Sequence, residues 1–246
     1  MSDRAVRAVR RFAGRTWTWL GARFDRRAHL GLHLTLALAV GVAAIWALSA
    51  LLDAVLDNAT LVRLDVLVDA RIHALETPAG LTFFAWISLV GSPTSMAVLG
   101  AIGAVVLVIR RESRMCVTWI AAFIGSGVLE RTLKFLVHRS RPAYAGAQLA
   151  RQSFSFPSGH AMGSFIGFGM VVYVVAAHWR APRRVRVPVT AAAVIIVLLV
   201  GVSRVYLGAH YPSDVLGGYA AAAAWMAVCV GGLAVALHRR DAASSV

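Results

Sequence analysis

Charged residues are scarce in this 246-residue chain. Only 15% of the residues are charged and 59% are hydrophobic, whereas a soluble domain has about 25% charged and about 45–50% apolar residues. The mean hydropathy is +0.71. The long apolar runs that result exclude an ordinary soluble domain and predict an all-α, integral membrane protein with one membrane domain.

Cysteine and acidic residues are also few. The two cysteines, Cys116 and Cys229, each lie in an apolar run. They exclude a disulfide framework or a cysteine-based zinc site, and both are expected to be small buried hydrophobes. Eleven acidic residues stand against 25 basic ones, for a net charge of +14. The basic residues cluster at the ends of apolar runs, which is typical of membrane orientation and argues against nucleic-acid binding.

Six apolar runs are predicted to be membrane-spanning helices. One longer run, over 81–109, exceeds the ~30 Å thickness of a bilayer core. Gly91-Ser92-Pro93 interrupts it, with Ser92 as a helix cap and Pro93 as a first helical position. We therefore expect a short interfacial helix over 81–90, followed by a span. The predicted spans are 30–52, 93–109, 115–137, 158–179, 188–206 and 212–237. The fold prediction is a six-helix membrane bundle within residues 30–240.

Two segments outside the spans are polar. Residues 1–29 carry eight arginines with interleaved aromatic residues. They are predicted to form either a helix on an anionic membrane surface or a partly disordered tail that only fixes orientation. Residues 53–80 hold five of the eleven acidic residues. Their apolar residues recur at helical spacing, which favours an amphipathic helix on the outer surface.

The distribution of Lys and Arg predicts the orientation of the bundle. Seventeen of the 25 lie in the N-terminal segment, in the loops at 110–114 and 180–186, and in the pair at 239–240. The side with more Lys and Arg is expected to be cytoplasmic. Both termini are therefore predicted to be cytoplasmic, in a multi-pass protein of the plasma membrane.

Three polar blocks interrupt the apolar pattern. They are Lys134, six residues, then Arg141-Pro142; Pro157-Ser158-Gly159-His160; and Ser203-Arg204, five residues, His210, three residues, then Asp214. All fall at span ends on the predicted outer side, where ionisable residues are costly and usually functional. Three cations, two histidines and one carboxylate are the groups needed to hold a phosphate and cleave its ester bond.

The first block follows a helix with an unusually polar end. Glu130, Lys134, His138 and Arg141 step by four, four and three residues, so they are predicted to share one helical face. Pro142 is expected to stop the helix. Glu130 is expected to be the ion-pair partner of Lys134.

The three blocks, in this order and at this spacing, resemble the signature of the type 2 phosphatidic acid phosphatase superfamily. The resemblance covers roughly residues 80–237 and leaves residues 1–29 outside it. It implies a membrane phosphatase that uses no metal or other cofactor and passes through a phosphohistidine intermediate. The superfamily also contains soluble vanadate-dependent haloperoxidases, which the six apolar spans argue against.

The resemblance also implies a role for each signature residue. His210 resembles the nucleophile that attacks phosphorus, and Asp214, one helical turn later, resembles the group that fixes the ring tautomer. His160 resembles the general acid and base. The other residues resemble a phosphate-binding set, with a cation cage of Lys134, Arg141 and Arg204 and the helix-start N–H groups of Ser158 and Gly159.

No cluster of metal ligands accompanies the blocks. His160, His210 and Asp214 could imitate a metal-binding triad. Three cationic side chains aimed at the same place would repel a metal ion, however, so neither a metal nor a cofactor is predicted.

The polar residues next to the three blocks are interpreted mainly as structural. His138 and Arg139 are expected at the membrane interface. Ser203 is expected either to cap and pack or to touch phosphate. Tyr206 and Tyr211 are expected to belong to the aromatic belt of the membrane interface.

The predicted partners are the bilayer and a lipid phosphate whose head group enters the cation cage while its tail stays between helices. Undecaprenyl diphosphate, phosphatidate and phosphatidylglycerophosphate are the candidate substrates by resemblance. Two alternatives stay open: a phosphotransferase of the same superfamily, and a non-catalytic lipid-binding or transport protein. The sequence specifies neither the lipid nor the oligomeric state.

Overall fold

The computed structural model describes residues 29–57, 59–144 and 153–244, and within them every regular element is a helix. This confirms the all-α prediction. The helices are α1 (His29–Asp57), α2 (Ala59–His73), α3 (Pro78–Val90), α4 (Pro93–Ile109), α5 (Ser113–Val137), α6 (Gly159–Val172), α7 (Arg183–Tyr206) and α8 (Pro212–Ser244). A π-helical segment, Tyr173–His178, continues α6. The basic segment 1–28 lies outside the described residues, so its two interpretations stay predictions.

Among the described residues, five helical segments are long and apolar enough to cross a membrane. They are Leu34–Asp57, Pro78–Ile109, Gly159–His178, Arg183–Tyr206 and Pro212–Leu237. The chain is therefore a multi-pass membrane protein. The predicted third span, α5, is not among the five, because Glu130, Arg131 and Lys134 make its far end polar. The count of six spans and the location of the termini stay predictions.

The predicted helix break at Gly91 and Ser92 is confirmed. Ser92 caps α4, and its side chain accepts a hydrogen bond from the Ser95 amide at 3.2 Å. α3 begins at Pro78, three residues before the predicted boundary, because the side chain of Thr77 caps it. α3 packs mainly on α7, whereas α4 packs on α5 and α6. The break therefore lets one long apolar run contact two sides of the bundle.

Two predicted helix boundaries are wrong. α7 begins at Arg183, so Pro188 lies inside the helix instead of opening it. Proline in the second turn removes one backbone hydrogen bond, a loss that packing of the apolar helix tolerates. α5 ends at Val137, as the predicted span does, and does not continue to the helix stop predicted at Pro142. His138 ends the helix, because it adopts the left-handed conformation with a φ of 50°. The residues that follow therefore leave the helical face predicted for them.

α6 lies at the centre of the bundle. It packs against α4, α5, α7 and α8, whereas α1 packs along α8. α1 and α8 are antiparallel, since Gly41 faces Ala227 and Ala37 faces Gly231. The main core joins buried residues of α5, α6 and α8, for example Ala122, Ile166 and Ala222.

The two ends of the bundle differ in chemistry. At one end, Arg114 at the start of α5 donates a hydrogen bond to the Ala236 carbonyl of α8 at 3.2 Å. The same end holds Glu112, which accepts a hydrogen bond from Trp179 Nε1 at 2.9 Å. The opposite end carries the three polar blocks, where the last residues of α5 and α7 meet the first residues of α6 and α8.

The helix predicted in the acidic connector is α2. Its buried residues are Asp65 and Asp69, whereas Leu64 and Leu67 are exposed. Two acidic side chains of α2 therefore face the protein, whereas several of its leucine and valine residues face outward. This orientation brings two carboxylates to the end of the bundle that holds the polar blocks.

Gly125 and Gly127 have different surroundings, although the sequence predicted close helix packing at both. A Cβ atom at Gly125 would overlap the Trp225 ring of α8, whereas one at Gly127 would meet nothing within 4 Å. Gly125→Ala is expected to lower the free energy of unfolding by about 1–3 kcal/mol through overpacking. Gly127→Ala is expected to be neutral or stabilising, because alanine is the better helix former.

Thermal unfolding of the purified protein in detergent checks this difference. The expected result is a lower melting temperature for Gly125→Ala alone. Equal melting temperatures for the two variants would contradict the close contact between α5 and α8 at Gly125.

Candidate active site

His210 lies in the tight turn between α7 and α8. The Arg204 carbonyl accepts hydrogen bonds from the backbone N–H groups of both Ala209 (3.0 Å) and His210 (3.2 Å). Gly208 permits this turn with a φ of 61°, in the left-handed region that favours glycine. The turn directs the His210 side chain back into the bundle, where it is 2% exposed.

The two ring nitrogens of His210 face different groups. Nδ1 lies 3.6 Å from Asp214 Oδ2, which is longer than a hydrogen bond, and Nε2 lies 3.2 Å from Arg141 Nη1. Burial lowers the pKa of His210 to about 4, against the opposing effect of Asp214. The ring is therefore neutral at pH 7. A proton on Nδ1, on the Asp214 side, leaves the Nε2 lone pair facing Arg141.

The carboxylate of Asp214 is fully buried and has three hydrogen-bond donors. Arg139 Nη1 donates to Oδ1 at 2.6 Å. Tyr211 N donates to Oδ2 at 2.8 Å, and Ser155 Oγ also donates to Oδ2. Asp214 lies in the first turn of α8, where the helix dipole favours negative charge. These contacts fix the carboxylate beside His210.

Arg139 belongs to the site, and the prediction that it lies at the membrane interface is wrong. Its side chain is 9% exposed and forms ion pairs with Asp214 (2.6 Å) and Asp65 (2.7 Å). Burial alone would lower the pKa of Arg139, but the two carboxylates raise it above its ordinary value. Its guanidinium lies 4.5 Å from the centre of the Tyr211 ring. Tyr211 thus packs on the site, and its place in an aromatic belt of the membrane interface stays a prediction.

His138 and Tyr206 also have packing partners in the protein. The His138 ring lies against Phe154 with centroids 4.3 Å apart. The Tyr206 hydroxyl accepts a hydrogen bond from the Thr77 amide at 3.1 Å, and its ring packs on Phe84. Tyr206 therefore ties α7 to the start of α3.

Arg141 reaches the site from the loop after α5. Nη1 donates to the Ala209 carbonyl at 2.7 Å as well as facing His210. Nη2 donates to Ser153 Oγ at 2.8 Å, and Nε donates to the Ser153 carbonyl at 3.0 Å. These bonds hold one edge of the guanidinium against the His210 ring.

Arg204 projects from α7 and is buried. Its Nη1 donates to Ser88 Oγ of α3 at 2.5 Å, whereas its Nε is a buried donor with no hydrogen-bond partner among the described residues. A buried donor without a partner costs about 1–3 kcal/mol, so Nε is a donor available for a ligand oxygen. The neighbouring Ser203 Oγ donates to the Val200 carbonyl at 2.6 Å, which matches the packing alternative for this residue.

Lys134 lies on α5 and pairs with Glu130, as predicted, with 3.2 Å between Nζ and Oε1. Gly159, the first residue of α6, contacts the same carboxylate so closely that a Cβ atom there would overlap it. Lys134, Glu130 and the N-terminus of α6 are therefore neighbours.

Ser158 and His160 flank that helix start. Ser158 is fully buried and caps α6, and its backbone N–H donates to the Asp214 carbonyl at 2.9 Å. The His160 ring is partly buried. The charged or titratable groups that act on it are those of Arg204, His210, Lys134 and Arg141.

All eight residues predicted for the site thus lie at one end of the bundle. Direct contacts join His210 with Asp214 and Arg141, and a separate contact set joins Lys134 with the start of α6 through Glu130. Within the described ranges, no group of three or more His, Cys, Asp or Glu side chains is placed to hold a metal ion.

Several residues in this network were not predicted, among them Asp65, Ser88, Arg139 and Ser155. Asp65 carried a recognisable signal, because Asp69 follows it by one helical turn and both acids therefore share a face. Ser155 and Arg139 stand two residues from Pro157 and Arg141, but this spacing alone does not indicate which side chains point inward. Ser88 lies in an apolar helix and gave no signal.

Comparison with known proteins agrees with this arrangement. The sequence model of the PAP2 superfamily matches residues 112–234, which are half of the chain. Phosphatidylglycerophosphatase B of Bacillus subtilis is 39% identical over 92 residues, which are 37% of this chain and 45% of that protein. Lipid A 1-phosphatase of Rhizobium johnstonii is 32% identical over 126 residues, which are 45% of this chain and 46% of that protein. The chain therefore matches less than half the length of either relative.

A solved structure has a similar fold. It is the crystal structure of a transmembrane PAP2 type phosphatidylglycerolphosphate phosphatase from Bacillus subtilis, with a TM-score of 0.69 and 24% sequence identity. The similarity covers 81% of this chain and 96% of that one. The family match spans α5 to α7 and most of α8, and it contains all three polar blocks. The chain belongs to the PAP2 superfamily.

Proposed function

We propose that this chain is a membrane-embedded lipid phosphatase that acts through a phosphohistidine at His210 and uses no metal ion. One observation carries the proposal. The neutral, buried ring turns Nδ1 toward Asp214 and Nε2 toward Arg141 Nη1, 3.2 Å away. A neutral imidazole with a cation beside its lone pair is a nucleophile positioned next to a binding group for a phosphate oxygen. Membership of the PAP2 superfamily supports this reading.

In the first step, His210 Nε2 attacks phosphorus and the bond from phosphorus to the leaving oxygen breaks. The imidazole gains positive charge as the N–P bond forms, and the buried carboxylate of Asp214 stabilises that charge. Arg141 and Arg204 bind the non-bridging oxygens, with Arg204 Nε as a donor that lacks a partner in the described part of the chain. Lys134 adds a third positive charge on the α5 side.

His160 transfers the protons in both steps. It donates a proton to the leaving oxygen in the first step and accepts one from the attacking water in the second. The second step breaks the N–P bond, releases inorganic phosphate and returns His210 to its neutral form. A positioned acid or base of this kind supplies about 10²–10⁴-fold in rate. The N-terminus of α6 at Gly159 faces the same anion. The predicted contact of the Ser158 N–H with phosphate is not available, because this N–H already donates to the Asp214 carbonyl.

An apolar groove of about 440 Å³ between α4, α5 and α6 supports a lipid substrate. Phe123, Ile124 and Gly127 are among its lining residues, and Glu130 and Gly159 line it as well. A lipid tail in this groove would place its head group beside Lys134, the ion-pair partner of Glu130. The proposed substrate class is therefore a lipid phosphate or diphosphate, with undecaprenyl diphosphate, phosphatidate and phosphatidylglycerophosphate as candidates.

We also propose that residues 30–240 form a single six-span domain with its active site on the extracytoplasmic face of the plasma membrane. The support is the distribution of basic residues along the sequence: seventeen of the 25 lie in segment 1–29, in the loops 110–114 and 180–186, and in the pair 239–240. A reporter fused after residue 246 is expected to be cytoplasmic.

Phosphate release tests the proposed chemistry. In detergent with EDTA, the purified protein is expected to release inorganic phosphate from at least one of the three candidate lipids. His210→Ala is expected to lower this rate by about 10³-fold or more, because the nucleophile is lost. His73→Ala is the matched control, since His73 is a partly exposed histidine that pairs with Glu76 outside the site.

The alternatives give different results in the same assay. Release that needs a divalent metal, or that survives in His210→Ala, would contradict the mechanism. Transfer of phosphate to an acceptor lipid without release would identify a phosphotransferase. Lipid binding with no turnover would identify a binding or transport protein.

Filling the groove tests the binding mode. Gly127→Leu places a side chain where a Cβ atom meets nothing within 4 Å. It is expected to lower kcat/KM for a long-chain lipid phosphate about tenfold or more through steric exclusion. The rate of hydrolysis of a water-soluble phosphomonoester should change little, because that substrate has no lipid tail and binds only at the polar end of the bundle.

The matched control for this variant is Val128→Phe, which adds bulk at the next position, where the side chain is 60% exposed. It should leave both substrates unaffected. Equal loss on both substrates in Gly127→Leu would mean that the groove does not hold the tail.

A further inference from the structure

We propose that Asp65 of α2 is a positioning residue for the proposed nucleophile, acting through Arg139 to preserve the negative charge of Asp214 beside His210. This inference rests on the proposed function of His210. Asp65 lies outside the three polar blocks and outside the residues matched by the family, 112–234.

Asp65 is built into a closed hydrogen-bond network. It is 3% exposed, and its Oδ2 accepts hydrogen bonds from Arg139 Nη2 at 2.7 Å and Ser213 Oγ at 2.5 Å. Its Oδ1 accepts one from the Ser213 amide at 3.2 Å. Arg139 Nη1 then donates to Ser213 Oγ at 2.7 Å and to Asp214 Oδ1 at 2.6 Å. Four side chains from three parts of the chain are therefore linked.

The charges in this network explain why a second carboxylate is needed. Arg139 is a single cation shared between two carboxylates, so the network of Asp65, Arg139 and Asp214 has a net charge of −1. If Asp65 were neutral, Arg139 would pair with Asp214 alone and cancel its charge. The carboxylate would then stabilise a positive imidazole less, whether protonated or phosphorylated. Asp65 thus leaves Asp214 negative toward His210.

Other charged or titratable groups also face this network. Asp214, Arg141, Arg204 and His160 act on His210. Asp69, Arg139 and Asp214 act, together with Asp65, on the neighbouring Tyr211. Lys134 interacts with Asp214 from the α5 side. A substitution at Asp65 changes none of these groups chemically, so the control variant and the melting temperatures below separate the lost carboxylate charge from a rearrangement.

The direction of the pH effect follows from this charge count. His210 must be unprotonated to attack, so its pKa sets the acid limb of the profile of kcat/KM against pH. Loss of a negative charge disfavours the protonated ring and lowers that pKa. Asp65→Asn, which keeps the size and the acceptor oxygen, is therefore expected to shift the acid limb to lower pH by about 0.5–1 unit.

The same variant is expected to lose rate. The lower stability of the phosphorylated imidazole should reduce kcat by about 10–100-fold, a loss comparable to that caused by removing the hydrogen-bond partner behind a metal-ligating histidine. KM should change little, because Asp65 does not contact the proposed phosphate-binding groups Lys134, Arg141 and Arg204. If Asp65 had only a structural role, Asp65→Asn would lower the fraction of active enzyme and leave the profile of kcat/KM against pH unchanged.

The matched control is Asp69→Asn. Asp69 lies one turn further along α2, is 4% exposed, and is not among the hydrogen-bond partners of Arg139. The same loss of a buried carboxylate there is expected to leave the acid limb in place. A double variant, Asp65→Asn with Arg139→Gln, removes one charge of each sign. It is expected to return the acid limb toward that of the wild type.

The profiles should be measured on one substrate with the full chain in detergent, together with the melting temperature of each variant. An acid limb unmoved in Asp65→Asn, or moved equally in Asp69→Asn, would overturn the inference. If Asp65→Asn does not fold, Asp65→Glu replaces it: a wild-type acid limb supports the inference, and a shifted one overturns it. An inactive wild type would instead refute the proposed function.

Discussion

The polar end of this bundle depends on the contacts that the buried carboxylate of Asp214 makes. A buried charge is costly unless it is paired and hydrogen-bonded, and Asp214 receives donors from Arg139, Ser155 and the Tyr211 amide. Its own carbonyl accepts a hydrogen bond from the Ser158 amide. Residues in or beside all three polar blocks therefore meet at one residue, and that convergence brings four helix ends together.

The apolar helices hold in place the helix ends that carry the polar residues. Packing of α6 against α4, α5, α7 and α8 fixes the helix ends, while the tight turn before α8 aims His210 into the space between them. Arg204 Nε is buried and without a protein partner among the described residues, and we propose that an anion binds there. We propose that the groove between α4, α5 and α6 gives a lipid tail an apolar path from the bilayer to that place.

Much of this organisation is predictable from the sequence, because apolar runs set helix length and because ionisable residues in such runs are rare. The helix caps at Ser92 and Ser158 followed from local chemistry. The interior position of Pro188 did not, since tertiary packing outweighs the loss of one hydrogen bond. The buried roles of Asp65 and Arg139 were also missed. They depend on which way α2 and the loop after α5 turn, and one sequence does not contain that long-range information.

Trapping the covalent intermediate shows whether His210 carries the phosphoryl group during turnover. The protein would be mixed rapidly with a lipid labelled in its phosphate, quenched in alkali, which preserves phosphohistidine, and digested for mass spectrometry. If His210 is the nucleophile, a phosphoryl group on His210 turns over with the substrate and is absent from His210→Ala. Turnover without any label on His210, or with the label on another residue, would contradict this role of His210.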